Sequence, residues 1–152
     1  MKKFNACPAT VLLVEDNEGD ARLAKEALKD GKIRNDLHHV RDGVEAMEYL
    51  NREGKYNTEN APRPDIVLLD LNMPRMDGRE VLQEINKNSK LASIPVIVLT
   101  TSESEMDIIK SYNLHANCYI SKPVDFNRFI NVVRAIENFW FTIVSLPEIN
   151  DE

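Results

Sequence analysis

The amino-acid sequence predicts an α/β domain with a doubly wound, five-stranded parallel sheet. Short apolar runs alternate with longer segments whose apolar residues recur at helical spacing, five times along the 152 residues. Several of the short runs are continuously apolar, which is typical of strands covered by helices on both faces. The connections in such a sheet are right-handed crossovers, and 152 residues suffice for one domain.

Five segments have the length and composition of strands. The third is the clearest, because four apolar residues are followed by Asp70 and a proline-containing loop. The second strand is short and mixed in composition. The predicted strands are Thr10–Glu15, Leu37–Val40, Asp65–Asp70, Ile94–Leu99 and Tyr119–Ser121.

A helical pattern follows each predicted strand. Apolar residues three, four or seven positions apart give these segments one apolar face each, as in Ala21, Ala24 and Leu28. A polar segment, residues 51–64, is predicted to be a surface loop. The predicted helices start near Asn17, Asp42, Gly78, Glu103 and Asp125.

Composition excludes several classes of function. The net charge of −6 argues against a nucleic-acid surface, which needs a basic stripe. Cys7 and Cys118 lack metal-ligand spacing and are expected to be free thiols. Neither a signal peptide nor a membrane-spanning run is recognisable, so a cytoplasmic protein is expected.

Chemically useful residues follow four of the predicted strands. Glu15 and Asp16 come at the end of the first, Asp70 ends the third, Thr100 follows the fourth, and Lys122 follows the fifth. Ligands of open α/β sheets bind at the carboxyl ends of the strands. An isolated Asp in such a place is usually a turn or cap residue. Because these polar residues recur in successive strand–helix units, we predict a functional site there.

The three carboxylates predict a bound cation. Two like charges about 4 Å apart repel by about 4 kcal/mol at an effective dielectric near 20. A small, hard, oxygen-seeking ion such as Mg²⁺ relieves this repulsion. A carboxylate beside that ion is a plausible nucleophile toward a phosphoryl group. Lys122 and Thr100 are then expected to bind the phosphoryl oxygens.

Four motifs resemble the receiver domain of two-component response regulators: Val-Glu-Asp-Asn at 14–17, Leu-Asp-Leu-Asn-Met-Pro-Arg-Met-Asp-Gly at 69–78, Pro-Val-Ile-Val-Leu-Thr-Thr at 95–101 and Tyr-Ile-Ser-Lys-Pro at 119–123. The resemblance implies a flavodoxin-like fold with strand order 2-1-3-4-5, and a signalling protein rather than an enzyme. It covers about residues 9–141, leaving tails at 1–8 and 142–152.

The same resemblance assigns roles to individual residues. Asp70 would accept a phosphoryl group from a histidine kinase, and Thr100 and Lys122 would contact that group. Tyr119 would be the aromatic switch that moves with Thr100. The Mg²⁺ ligands would be Glu15, Asp16, Asp70 and the carbonyl of Asn72.

Three further segments resemble a particular group within this family. Residues 53–64, 111–119 and 136–147 are similar to those of single-domain regulators paired with bacterial phytochrome kinases. That similarity implies a phytochrome-type kinase as partner. It also implies that the chain carries the phosphoryl group onward and acts through protein–protein contacts.

The last predicted helix carries two apolar faces. The second, which includes Val132, Phe139 and Ile143, exceeds what packing on a sheet requires. We predict a homodimer through this face. The alternative is that the tail after Phe141 folds back over it.

Two other functions stay open at this point. One is a phosphohydrolase with an Asp nucleophile, which would favour a second acid two residues later, where this chain has Asn72. The other is an interaction module that is never phosphorylated. The complete set of site residues argues against it.

Overall fold

The structure is a computed structural model that describes residues 9–30, 35–71, 73, 76–100, 114, 116, 118–121 and 131. Its five strands form one parallel sheet in the order β2-β1-β3-β4-β5, which confirms the predicted order. The strands are β1 (Ala9–Val14), β2 (Asn35–Val40), β3 (Ile66–Asp70), β4 (Val96–Thr100) and β5 (Cys118–Ser121). The described helices are α1 (Glu18–Asp30), α2 (Gly43–Asn51) and α3 (Gly78–Lys87).

Alternate strand residues enter two separate cores. Side chains of Leu12, Val67 and Val98 belong to one core together with residues of α2 and α3. Their neighbours Leu13 and Leu68 belong to the other core, with α1. Successive side chains of a strand point to opposite faces. Burial on both faces is therefore the reason that these strands are continuously apolar in sequence.

The predicted helical faces are the buried ones. Ala21, Ala24 and Leu28 of α1 are at most 3% exposed, and the apolar residues of α3 are at most 1% exposed. Both α2 and α3 begin at an Asp whose side chain accepts a hydrogen bond from a backbone N–H of the first turn. Such caps fix where each helix begins.

All five strands differ from their predicted ranges by one or two residues at one end or both, and the largest differences are at the starts of β4 and β2. Ile94 lies in a turn rather than in β4, since its N–H donates to the carbonyl of Leu91. β2 starts two residues earlier than predicted, at Asn35, and pairs along its whole length with β1. It is an edge strand, so polar residues such as Asp36 and His38 are tolerated there. The predicted helices after Glu103 and Asp125 fall almost entirely outside the described residues.

Candidate functional site

Three carboxylates meet at the carboxyl edge of the sheet. One oxygen each of Glu15, Asp16 and Asp70 lies within 4.8 Å of the others. β1 and β3 are neighbours, with Val14 opposite Leu69, so the residues that follow these two emerge side by side. Glu15 and Asp70 are 1% and 2% exposed, while Asp16 is exposed. The structure therefore brings the three predicted acids together.

Backbone hydrogen bonds fix Glu15. Its N–H donates to the carbonyl of Val40, at 3.1 Å. Its side-chain oxygen accepts from the N–H of Asn17 at 3.3 Å, and its carbonyl oxygen lies 2.7 Å from Nε2 of His39. The ends of β1 and β2 thus hold this carboxylate at the edge. His39 thus has a structural contact with the residue that follows β1.

Thr100 and Tyr119 occupy the next two strands. Thr100 is fully buried and is the last residue of β4, immediately after Leu99, which pairs with Asp70. Tyr119 of β5 pairs with Val98 and packs against the core that contains Val98. Burial raises the pKa of the Tyr119 hydroxyl. Since Thr100 is two residues beyond Val98, Thr100 and Tyr119 share one face of the sheet.

Two glycines hold the loop that follows Asp70. The N–H of Gly78 donates to the carbonyl of Leu71, and that of Gly43 donates to the carbonyl of Met76, at 3.1 and 3.0 Å. A Cβ atom at Gly78 would collide with the carbonyl oxygen of Asp70, and one at Gly43 with that of Met76. Both positions therefore require glycine because another backbone segment passes against them.

Sequence reasoning treated these glycines only as helix-start residues. A glycine that directly follows Asp at a helix start is common, and the sequence does not reveal which backbone packs against it. Their contacts with the segment that runs from Asp70 to Met76 are visible only in three dimensions.

Several predicted site residues lie outside the described part of the chain. Asn72 and Lys122 are among them, as are Val132, Phe139 and Ile143 of the predicted dimer face. Their assigned roles stay predictions.

The acidic group suits a hard cation. Its donors are all carboxylate oxygens, the ligands that Mg²⁺ and Mn²⁺ prefer. Two of the three carboxylates are buried, where negative charge is costly unless it is compensated. A divalent ion bound by Glu15, Asp16 and Asp70 would offset their mutual repulsion.

A model of the response regulator receiver domain matches residues 11–134. The chain belongs to this family. Response regulator Rcp1 of Synechocystis sp. (strain PCC 6803) is 50% identical over 140 residues, which are 92% of this chain and 94% of Rcp1. The chain is therefore a receiver homologous to phytochrome response regulators, and the hydrolase alternative is not favoured.

Two solved structures support the same relationship. The phosphorylated cyanobacterial phytochrome response regulator RcpA is 50% identical, with a TM-score of 0.73 over 89% of this chain and 95% of RcpA. The Mn²⁺-bound form of Rcp1 is 50% identical, with a TM-score of 0.72 over 88% of this chain and 94% of Rcp1. These structures share the flavodoxin-like receiver fold.

Among the helices that the structure describes, none combines the length and the apolar character needed to cross a membrane.

Proposed function

We propose that this receiver is phosphorylated on Asp70 by a histidine kinase in a Mg²⁺-dependent reaction. The observation that carries the proposal is the position of Asp70. It is a buried carboxylate at the last residue of β3, with oxygens of Glu15 and Asp16 within 4.8 Å. The phosphorylated structure of RcpA supports it.

The reaction follows from the chemistry of the site. A carboxylate oxygen of Asp70 attacks the phosphorus atom, the bond to the imidazole nitrogen of the kinase breaks, and an acyl phosphate forms. Glu15, Asp16 and Asp70 would hold Mg²⁺, which would neutralise the negative charge on the transferring oxygens when bound. Thr100 donates its hydroxyl hydrogen to one phosphoryl oxygen, and the Lys122 ammonium pairs with another.

The proposed metal ligands are Glu15, Asp16, Asp70 and the carbonyl of Asn72. The all-oxygen group formed by the three side chains supports this assignment. The Mn²⁺-bound form of Rcp1 supports a divalent ion in a close relative.

We propose that Thr100 and Tyr119 form the switch. In this proposal Thr100 moves toward the phosphoryl group and Tyr119 follows into the space that Thr100 leaves. Their location on one face of adjacent strands supports the coupling. The output of the protein is then a changed surface that another protein binds.

The proposed kinase is a phytochrome-type histidine kinase, on the strength of the 50% identity to Rcp1 and RcpA. The receiver would comprise residues 9–141, flanked by tails at 1–8 and 142–152. It would act in the cytoplasm without catalytic turnover of its own. Homodimerisation through Val132, Phe139 and Ile143 belongs to the same proposal.

Mass spectrometry after incubation with acetyl phosphate and Mg²⁺ tests the phosphorylation. The wild type should gain one phosphoryl group, and Asp70→Asn should gain none while keeping its circular dichroism spectrum. Asp65→Asn, which removes a carboxylate just before the same strand, should still gain one. Continuous hydrolysis of the donor without a lasting adduct would instead indicate a phosphohydrolase. Full labelling of Asp70→Asn would contradict the assignment.

A further inference from the structure

A second concave region lies at the end of the domain opposite the acidic group. It forms where α2 ends, where the loop before β3 passes, and where the chain turns after α3. Its volume is about 340 Å³. Pockets for small molecules begin at about this size.

The pocket is positively charged. Arg52, Arg63 and Lys90 line it, and its described lining residues include no Asp or Glu. The chain as a whole carries a net charge of −6. This pocket therefore has the opposite sign to the average of the molecule.

Three carbonyl groups around the pocket already accept hydrogen bonds. The oxygen of Ala61 accepts from Nε of Arg52 at 3.0 Å, and that of Pro62 accepts from the Tyr49 hydroxyl at 2.9 Å. The oxygen of Lys90 accepts from Nη1 of Arg63 at 2.5 Å. These three carbonyl oxygens are thus already hydrogen-bonded within the protein.

The side chains that line the pocket have hydrogen-bond donors without partners among the described residues. Arg52 uses Nε for Ala61, and within the described part of the chain its two terminal nitrogens have no further partner. The Lys90 ammonium forms no ion pair with any described residue. Asn51 and Asn88 add amide groups to the lining. A ligand that fits this pocket has to supply acceptors and negative charge.

Arg52 has a backbone conformation that is more usual for glycine. Arg52 ends α2 in the left-handed conformation, with φ 54° and ψ 54°. Glycine is the usual residue at such a helix end because it adopts positive φ without steric cost. Arginine at this position brings a guanidinium group to the pocket instead.

The partial negative charges at the C-termini of α2 and α3 do not reverse the positive charge of the pocket. Helix C-termini are partially negative through their last carbonyls. Here the N–H of Arg52 donates to the carbonyl of Tyr49, and the N–H of Asn88 donates to that of Ile85. These bonds use last-turn carbonyls, so the full charges of the side chains dominate.

We propose that this pocket binds a small organic anion that carries two carboxylate or phosphate groups on a short apolar body. Arg52 and Lys90 would bind the two anionic groups, because a guanidinium pairs with either group through two parallel hydrogen bonds and an ammonium pairs with the other as a point charge. Leu50, Pro64 and Leu91 form the apolar part of the lining. This part favours an organic ligand over inorganic phosphate.

Amide shifts in ¹⁵N-labelled, Mg²⁺-free protein test this site with succinate and 1,3-propanediol bisphosphate as probes. Sodium chloride at matched ionic strength serves as the reference. We expect saturable shifts at Arg52, Arg63 and Leu91 with at least one probe. The stronger probe shows whether carboxylate or phosphate is preferred.

Variants separate this site from general charge effects. Lys90→Gln should weaken binding about tenfold, the loss of one charge-assisted hydrogen bond. Lys25→Gln, an exposed lysine of α1, should leave binding unchanged, and so should Asp70→Asn. Shifts that follow only ionic strength, shifts that centre on Asp70, or an affinity that is unchanged in Lys90→Gln would overturn the inference, and so would the absence of saturable shifts with both probes. None of these outcomes depends on phosphorylation of Asp70.

Discussion

Glu15 and Asp70 are nearly inaccessible carboxylates with a third acid beside them. Proteins seldom bury such groups unless the charge is compensated. We expect the mutual repulsion of these carboxylates to oppose folding, and a divalent ion bound between them to offset it. If these three residues bind the ion, stability and metal binding are linked at this site.

Saturating Mg²⁺ should stabilise the protein against denaturant. At about 100 times the Kd, mass action adds roughly 2.7 kcal/mol to the free energy of unfolding. Asp16→Asn should lose most of this gain because one ligand is removed. Urea unfolding with and without Mg²⁺ measures the effect.

The matched control is Glu26→Gln, which removes an exposed acid from α1 far along the helix from the site. It should keep the full gain. Equal Mg²⁺ stabilisation of the wild type and Asp16→Asn would contradict the ligand assignment.

Gly78→Ala should disturb the position of Asp70. The added methyl group meets the backbone of Asp70 and Leu71, which cannot rotate away as a side chain can. We expect a loss of about 1–3 kcal/mol in unfolding free energy and slower labelling by acetyl phosphate.

Gly19→Ala is a suitable comparison for Gly78→Ala. The nearest atom to its new methyl group is the side-chain oxygen of Asn17, at 3.2 Å, which can shift. Labelling of Gly19→Ala should match the wild type. If Gly78→Ala also matches it in both stability and labelling, the close packing at Gly78 has no role in the site.

At the level of elements, the loop between α2 and β3 is held by aromatic side chains. Tyr49 is 2% exposed, and its hydroxyl donates to the carbonyl of Pro62. Tyr56 contacts the Tyr49 ring, with 5.3 Å between centroids, and its hydroxyl donates to Glu45 at 2.7 Å. A loop predicted only as polar surface is therefore anchored to α2 at two points.

Burial also opposes ionisation of Glu45, but hydrogen bonds from Tyr56 and from the N–H of Arg41 outweigh it, and Lys55 adds to them. The net result is a lowered pKa for Glu45. The carboxylate is thus held in its charged form, which keeps the Tyr56 anchor in place near neutral pH.

Tyr49 predicts a loss of stability in alkali. Burial, reinforced by the negative charge of Asp36 and opposed by Arg52, raises the pKa of Tyr49 from 10.0 to about 12. A raised folded-state pKa gives stability that is complete below pH 10 and is lost as the pH rises toward 12. The loss is at most about 2–3 kcal/mol.

Unfolding free energies of the wild type and Tyr49→Phe between pH 8 and 12 measure this contribution. The difference between the two should shrink above pH 10, since the phenylalanine side chain of the variant has no proton to lose. Parallel curves over the whole range would show that the Tyr49 hydroxyl does not titrate with folding.

The strands show what sequence can predict at this scale. β1, β3 and β4 were predictable because burial on both faces requires continuous apolar residues. β2 was predicted too short, because Asn35 and Asp36 at the sheet edge carry no such requirement. The turn at Ile94 was missed because its apolar side chain, 4% exposed, resembles that of a strand residue.

For the whole molecule, the acidic site was predictable and its support was not. Parallel strands bring their carboxyl ends to one edge, so Glu15, Asp16 and Asp70 could be grouped from sequence alone. The contacts of Gly43 and Gly78 depend on backbone that passes against them in three dimensions, and no local pattern encodes them. The same holds for the cationic pocket, whose members come from three separate segments.

Self-association is the prediction that belongs to the complete chain. If the second apolar face of the last predicted helix forms a dimer, Phe139→Glu should bury an unpaired charge there. A central interface aromatic is worth about 2 kcal/mol or more, about thirtyfold in affinity. Analytical ultracentrifugation should then show monomers of unchanged fold.

The control for this variant is Lys90→Gln, which changes a charge in the turn after α3 and should leave association as in the wild type. We also expect phosphorylation to tighten the dimer through Tyr119. A wild type that stays monomeric at high concentration, with and without phosphorylation, would favour the tail covering this face.

The length of β3 has a consequence for how this receiver can vary. All five of its residues are buried, alternate ones in different cores, and the last is Asp70. Deleting one residue would exchange the two sets of side chains between the cores and withdraw the carboxylate from Glu15. The number of residues in β3 therefore determines both which side chains enter each core and where the Asp70 carboxylate lies. Moving this carboxylate along the strand would thus require rebuilding the interior around it.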